Sequence, residues 1–393
     1  MPNTSIQNQL QRLTNQVKGA LRLAVDNLGL PNLDYPSKHG TQVCIIRLDA
    51  LGDFVSWLPI AEILCSYYSE RNIKTILIAN ENWSKFASNL NLFSEIISVN
   101  RNLYVNNLFY RYKINLQIKK YKFNLVLNPV YNREFYLSDS LIKVAKSTKK
   151  IGFICSETDS RHRKISDKWY TDLIPKKAGL QHNILLGYAF LDYLEIAYPH
   201  KKIGSKRLFE LLANSRGGIE EGLYYVIVPG SGWIGRSWPI EKWAELCQLI
   251  SKESKMKGII LGTKSEISLG LKISSVNRMT LNLVGKTSIT EMAKIISKAK
   301  FIISNETSAV HFAMQLNIPS ICILGGGHYG QFLPMPVGVE INTPSILVNH
   351  LMPCYGCNWQ CPYQLSNAES VKCISDIDVD DVFNVLKSNV VLN

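Results

Sequence analysis

The feature that most limits what this chain can fold into is an alternation that runs through it twice. Short β-branched apolar runs, "TQVCIIRL", "KTILIAN", "SEIISVN", "FNLVLNPV" and "KKIGFI", are separated by helical stretches such as "VSWLPIAEILCSYY" and "REFYLSDSLIKVAK". Strands that are apolar on both faces need cover on both faces, and a parallel sheet with helices on each side supplies it. A second series follows, with "LYYVIVPGSG", "IEKWAELCQLISKE", "MKGIILGT", "ITEMAKIISKAK", "FIISNE", "SAVHFAMQL" and "PSICILGGG". The fold class is therefore α/β, with two doubly wound, Rossmann-like parallel-sheet domains in tandem. Sheets of this kind bind ligands at their carboxyl ends, so a shared central cleft is expected.

The 393 residues suffice for two cores of ordinary size. The first domain is expected over 41–205, a polar, glycine-bearing linker over 206–222 and the second domain over 223–375. A closing helix is expected over 376–393, where "DIDVDDVFNVLKSN" opens on aspartates, as helix N-termini prefer. Residues 1–40 stand apart. Ile6, Leu10, Leu13, Val17, Leu21, Ala24 and Leu28 recur every three or four positions and form one apolar helical stripe. The stripe is expected to pack on the body of the protein or on a second subunit. A membrane-surface role is the other reading, with only Arg12, Lys18 and Arg22 to flank it.

No apolar run reaches the roughly 18 to 20 residues that span a bilayer, and the first residues are too polar for a secretory signal, so a cytoplasmic protein is expected. The formal charge is +13, and 15 Lys and Arg against 5 Asp and Glu fall between Arg101 and Tyr170. Such a field suits an anionic partner, unless it is simply a solvated lysine-rich face. Cys44, Cys65, Cys155, Cys247 and Cys322 lie mostly within apolar segments, as reduced cysteines do in a reducing compartment. Cys354, Cys357, Cys361 and Cys373 have a spacing that a structural zinc could use; an iron–sulfur cluster and free or paired thiols are the alternatives, and no metal is assigned.

Four short segments carry candidate chemistry. In "RLDALGD" a strand gives way to a helix at Gly52 and Asp53, where a helix N-terminus favours an ionised carboxylate able to accept a proton. The plainer alternative makes Asp53 an N-cap and Asp49 a turn residue. In "VPGSGWIGRSWPIEKW" the turn Gly230, Ser231 and Gly232 leaves backbone N–H groups free beside the permanent cation of Arg236, a combination suited to a diphosphate. "LGTKSE" places Glu266 just past a strand, where a carboxylate can accept hydrogen bonds from ribose hydroxyls. "SNETSAVHFA" supplies Glu306, Thr307, Ser308 and His311.

In this order and at this spacing, over most of residues 41 to 336, these segments resemble glycosyltransferase family 9, the bacterial heptosyltransferases of lipopolysaccharide assembly and their relatives. The resemblance implies a GT-B architecture with an acceptor-binding N-terminal domain and a donor-binding C-terminal domain. It implies an inverting transfer without metal or cofactor, with Asp53 in the position of the base. Gly230, Ser231, Gly232, Arg236, Glu266, Glu306, Thr307, Ser308 and His311 then bind the donor, ADP-heptose or a similar nucleotide-diphosphate sugar. Asp49 and Gly52, which lets the acceptor approach, serve the acceptor side, together with Arg161, Arg163 and Lys164 for an anionic glycan or glycolipid. No nucleic acid is expected, and peripheral association with the cytoplasmic face of the inner membrane is compatible with such an acceptor. Two positions depart from the family's Asp-Ser/Thr-Gly-x-x-His segment, Glu306 for aspartate and Ser308 for glycine, which points to a donor other than ADP-heptose. An epimerase-like GT-B enzyme and a non-catalytic sugar-binding protein are the rival readings.

Overall fold

The computed structural model describes residues 3–28, 41–155, 160–175, 181–214, 224–363, 366 and 369–390. It divides into two compact units. The first comprises Met1–Ala50, Ile63–Leu180 and Ala189–Ile196; the second comprises Leu51–Glu62, Gln181–Tyr188 and Ala197–Asn393. The division is not the sequential one expected from the sequence. The segment carrying Gly52 and Asp53 groups with the second unit, where Gln315 Nε2 donates to Val55 O at 3.0 Å.

In the first unit, β1 (Gln42–Arg47), β2 (Lys74–Asn80), β3 (Glu95–Val99), β4 (Leu125–Asn128), β5 (Lys150–Phe153) and β6 (Asp172–Ile174) pair in the order β3-β2-β1-β4-β5-β6, all parallel. Its helices are α1 (Asn3–Asn27), α2 (Leu51–Ser69, shared with the second unit), α3 (Glu81–Asn89), α4 (Arg101–Asn106), α5 (Leu108–Lys119), α6 (Ser140–Val144), α7 (Ser160–Ser166) and α8 (Asn183–Tyr193, also shared). Every residue of β1 is buried, whereas edge strand β6 is only partly so, as expected for a sheet covered on both faces.

The second unit repeats the plan. Strands β7 (Tyr224–Val228), β8 (Lys257–Ile260), β9 (Thr280–Asn282), β10 (Ile302–Asn305), β11 (Ser320–Ile323) and β12 (Ile346–Val348) pair in parallel in the order β12-β11-β10-β7-β8-β9. Counted along the chain, both sheets have the doubly wound order 3-2-1-4-5-6, which reverses between the first and fourth strands. The helices are α9 (Lys206–Ala213), α10 (Ile240–Glu253), α11 (Ile267–Val276), α12 (Ile289–Ser297), α13 (Ser308–Gln315), α14 (Lys372–Ser375) and α15 (Val379–Asn389). The expected closing helix is α15, with Asp380 and Asp381 in its first turn, and its Val382, Phe383 and Leu386 belong to the core around Trp238 and Trp243. It is part of the second unit rather than an appendage.

The expected linker is not extended throughout. Lys206–Ala213 is helical, because Ser205 accepts from Leu208 N at 3.1 Å and Leu208 and Leu212 give it a buried face. The rest of that stretch, 215–222, lies outside the described residues. Of the places expected for the N-terminal stripe, the body of the protein is not the one it takes. Leu13, Val17, Leu21 and Leu28 are exposed, while the side chains of Ile6 and Leu10 lie outside the described residues. Helix α1 is held instead by its opposite side, where Asp26 and Arg111 form a fully buried pair at 2.7 Å. Asn115 Nδ2 completes the site by donating to Asp26 at 2.9 Å. A buried charge is tolerated only when paired and hydrogen-bonded, so this triad fixes which face of α1 turns inward.

Candidate functional site

The reversal of strand order in the second sheet lies between β7 and β10, and ligands of doubly wound sheets bind outside the strand ends at that point. Register places Ser304 opposite Val228, so the two segments leave the sheet side by side. Asn305 ties them together: its Nδ2 donates to Pro229 O at 2.7 Å, and its Oδ1 accepts from Trp238 N at 3.0 Å. The expected glycine turn and the expected acidic segment therefore emerge at one place.

Arg236 ends a short 3-10 turn (Ile234–Arg236), with its guanidinium about three-quarters buried. Its Nη2 donates to Glu306 O at 2.9 Å and stands 3.7 Å from the Glu306 carboxylate. Trp359 covers the guanidinium at 5.0 Å. Trp359 and its neighbour Asn358 have φ of 63° and 50°, a backbone region that non-glycine residues enter only under constraint. The cysteine-bearing segment thus contributes an aromatic wall. Among the described residues no three His, Cys, Asp or Glu side chains gather as metal ligands, so the spacing of the four cysteines is not matched by a ligand cluster. Cys373 Sγ accepts instead from Gly326 N at 3.4 Å.

Several buried polar atoms at this point have no hydrogen-bond partner: Arg236 Nε, both carboxylate oxygens of Glu306, His311 Nδ1 and Trp359 Nε1. Buried polar groups are otherwise almost always satisfied, so a cluster of orphans marks the place of a polar ligand. Burial pushes the Glu306 carboxyl up to about 7, with Arg236 opposing the rise and Asp53 adding to it. Burial, with His182 and Arg236 nearby, pushes His311 down to about 4, so its imidazole is neutral near pH 7.

The Glu306 shift has a measurable consequence. The folded protein holds this proton between the ordinary value of 4.5 and about 7, so the stabilisation is complete below 4.5 and is lost as pH rises through 7. Between about pH 5 and pH 8, wild type should lose on the order of 3 kcal/mol relative to Glu306→Gln, read from paired thermal melts. A constant difference between the two melts would refute the assignment. The depressed histidines act in the opposite direction, but they are common to both proteins and cancel.

Asp53 lies in the first turn of α2, where the partial positive charge of the helix favours a carboxylate. Its Oδ1 accepts from Asn183 Nδ2 at 3.4 Å. Neither Asn183 nor the neighbouring His182 is among the candidates taken from the sequence. The polar pair at that helix start was the available signal. His182 Nε2 donates to Phe332 O at 2.6 Å, and its Nδ1 accepts from Ile184 N at 3.3 Å. Asn183 N donates to Gln331 O at 2.8 Å, which anchors the start of α8 to the loop that carries Phe332.

The other expected residues take more specific places. A Cβ on Gly52 would lie 3.2 Å from the His311 ring and 3.6 Å from the Ser308 backbone, so the space it leaves is filled by α13 rather than kept for an acceptor. Asp49 is paired with Arg47, and its backbone oxygen accepts from Trp83 Nε1 at 2.9 Å, which makes it part of the first unit's framework. Glu266 closes a capping box by accepting from Thr263 N at 2.6 Å, and its carboxylate fills the space that a Cβ on Gly230 would need. Ser231 Oγ is bonded to Ser237 Oγ at 2.8 Å, while nothing lies within 4 Å of a Cβ on Gly232. Thr307 caps α13, accepting from Ala309 N at 3.4 Å, and Ser308 follows as its first residue. Arg161, Arg163 and Lys164 lie on α7 in the first unit, where Arg163 donates to Cys155 O at 3.2 Å. Two arginines of the basic window, Arg111 and Arg133, are buried in ion pairs and add nothing to the surface field.

Residues 111–350, more than half of the chain, match the model of glycosyltransferase family 9 (heptosyltransferase). The chain belongs to glycosyltransferase family 9. It is accordingly a glycosyltransferase, and the expected architecture agrees with its solved relatives. Lipopolysaccharide heptosyltransferase 1 of Campylobacter coli is 21% identical over 88% of this chain and 98% of that protein. Lipopolysaccharide core heptosyltransferase OpsX of Haemophilus influenzae is 23% identical over 78% and 83%. Among solved structures, E. coli heptosyltransferase WaaC with ADP-2-deoxy-2-fluoro heptose superposes with a TM-score of 0.66 at 18% identity, covering 89% of this chain and 100% of that one. This likeness establishes the GT-B fold of the family-9 chain. Among its described residues, no helix is long and apolar enough to cross a membrane.

Proposed function

We propose that this family-9 enzyme transfers a heptose, or a closely related sugar, from ADP-heptose or a similar nucleotide-diphosphate sugar to a lipopolysaccharide-type acceptor, with inversion at the anomeric carbon. The observation that carries the reading is the cluster of unpartnered polar atoms on Arg236, Glu306 and His311 at the strand reversal, with Asp53 close enough to raise the Glu306 carboxyl. The relatives' names supply the sugar and the acceptor class.

In this reading an acceptor hydroxyl attacks the anomeric carbon and gives its proton to Asp53, while the bond from that carbon to the diphosphate breaks and a nucleoside diphosphate leaves. Asn183 holds the Asp53 carboxylate through its amide. Arg236 meets the charge that grows on the departing diphosphate, so no metal ion is needed for that task. The longer Glu306 side chain reaches further toward the donor than an aspartate would, and with Ser308 it sets the choice of sugar. The two domains divide the substrates, the second unit taking the donor and the first the acceptor, with Arg161, Arg163 and Lys164 drawing an anionic glycan.

The test is nucleoside diphosphate release by purified protein supplied with ADP-heptose, UDP-sugars or GDP-sugars, with and without heptose-deficient lipopolysaccharide, and with a chelator present. Acceptor-dependent release of a nucleoside diphosphate, unaffected by chelator, is expected, and release from ADP-heptose would show that Glu306 and Ser308 still admit the donor of the relatives. Release from a UDP- or GDP-sugar alone would move the assignment to another donor, and release only with added metal ion would end the metal-free reading.

A further inference from the structure

Helix α1 is attached by one face and apolar on the other. Gly19, Arg22 and Asp26 point inward. A Cβ on Gly19 would strike the Tyr136 hydroxyl, Arg22 stands 4.9 Å over the Tyr136 ring and donates from Nε to Val105 O at 2.6 Å, and Asp26 is paired with Arg111. At about 100° per residue, Leu13, Val17 and Leu21 occupy the opposite side of the helix, and Leu28 follows its last residue. They are 58%, 58%, 47% and 50% exposed. A helix on a globular domain ordinarily turns its apolar stripe to the core, so an outward stripe marks a surface meant to be covered.

The charges around the stripe select what covers it. Asp26 is the sole acidic residue of α1, and it is buried against Arg111. Neither 101–133, which includes α4, α5 and β4, nor 140–155 contains an Asp or Glu. At the end of α1, Lys119 Nζ donates to Asp26 O at 2.9 Å and also to Leu28 O. Burial depresses the Lys119 ammonium, and Lys146 and Lys143 lie close enough to push it the same way against the opposing pull of Asp26. Lys18 is exposed on α1 itself, and Phe109 is 77% exposed at the start of α5, which follows the Val105 carbonyl that Arg22 holds. The half-exposed carboxylate of Glu134, two residues from Tyr136, is already paired with Arg101 at 2.7 Å, so a second copy docked through this face would set lysines mainly against lysines. An anionic bilayer supplies both the apolar layer and the countercharge.

We propose that α1 is a docking face for an anionic lipid surface, with Leu13, Val17, Leu21 and Leu28 entering the acyl boundary and Lys18 and Lys146 lying among the headgroups. This inference stands apart from the transfer reading, because vesicle binding requires no sugar. The test is co-sedimentation of the full chain with phosphatidylcholine vesicles and with vesicles containing about one-third phosphatidylglycerol. Binding should be at least about tenfold stronger to the anionic vesicles and should weaken with salt. Val17→Gln with Leu21→Gln, which leaves the charge unchanged, should lower it at least about tenfold. Lys18→Gln with Lys146→Gln should lower it about fivefold per lysine. All four side chains are exposed, so melting temperatures should stay at the wild-type value. Equal binding to both vesicle types, no binding to either, or undiminished binding by the Val17→Gln, Leu21→Gln protein would overturn the proposal. A wild-type dimer that this double variant dissociates would overturn it as well, by assigning the face to a second copy.

Discussion

Asp53→Asn should lower turnover by roughly 10²- to 10⁴-fold while leaving nucleotide affinity within about twofold of wild type, the pattern expected when a general base is lost and the donor site is not. The amide is nearly isosteric with the carboxylate and can stay beside Asn183, which separates proton transfer from packing. Asn183→Ala offers a graded comparison. It removes the donor at 3.4 Å without removing the base, so its effect on kcat should be clearly smaller. Single-turnover rates and nucleotide titrations on the three proteins decide the matter. An Asp53→Asn enzyme within a few-fold of wild type would remove this carboxylate from the chemistry.

Arg236→Ala should weaken nucleotide binding and also lower kcat by about 10²- to 10³-fold, because a cation that holds the diphosphate in the ground state meets still more charge as the bond breaks. Its loss should also strand Glu306, whose carboxyl the guanidinium holds below the value that burial alone would impose. Arg236→Lys should be milder, retaining the charge but not the planar group beneath Trp359 or its bond to Glu306 O. Nucleotide titration by calorimetry, alongside initial rates, would distinguish the two variants. Unchanged nucleotide affinity in the alanine protein would place the diphosphate elsewhere.

Much of this molecule was legible before its structure. Two parallel sheets follow from apolar runs separated by helices, because only burial on both faces explains such runs. The juxtaposition of Arg236 with Glu306 was also within reach, since both follow strands of one sheet and ligands gather at such strand ends. Glu266 was harder, because a residue that caps its own turn has the same sequence signature as one that awaits a ribose.

The α/β class, the strand series, the glycine turn beside a fixed cation and the family were all readable from the chain alone. These are local or periodic properties, written in neighbouring residues. Which partners each side chain meets across the chain depends on the packed fold. It brought Asn183 to Asp53, closed Gly52 against His311, paired Asp49 with Arg47, and set Trp359 of the cysteine-bearing segment over Arg236. It also decided the direction of the stripe on α1. Periodicity reveals that a helix has an apolar face but not which face turns inward, and here the buried pair of Asp26 with Arg111 makes that choice, because an unpaired buried charge would cost more than leaving four aliphatic side chains in water.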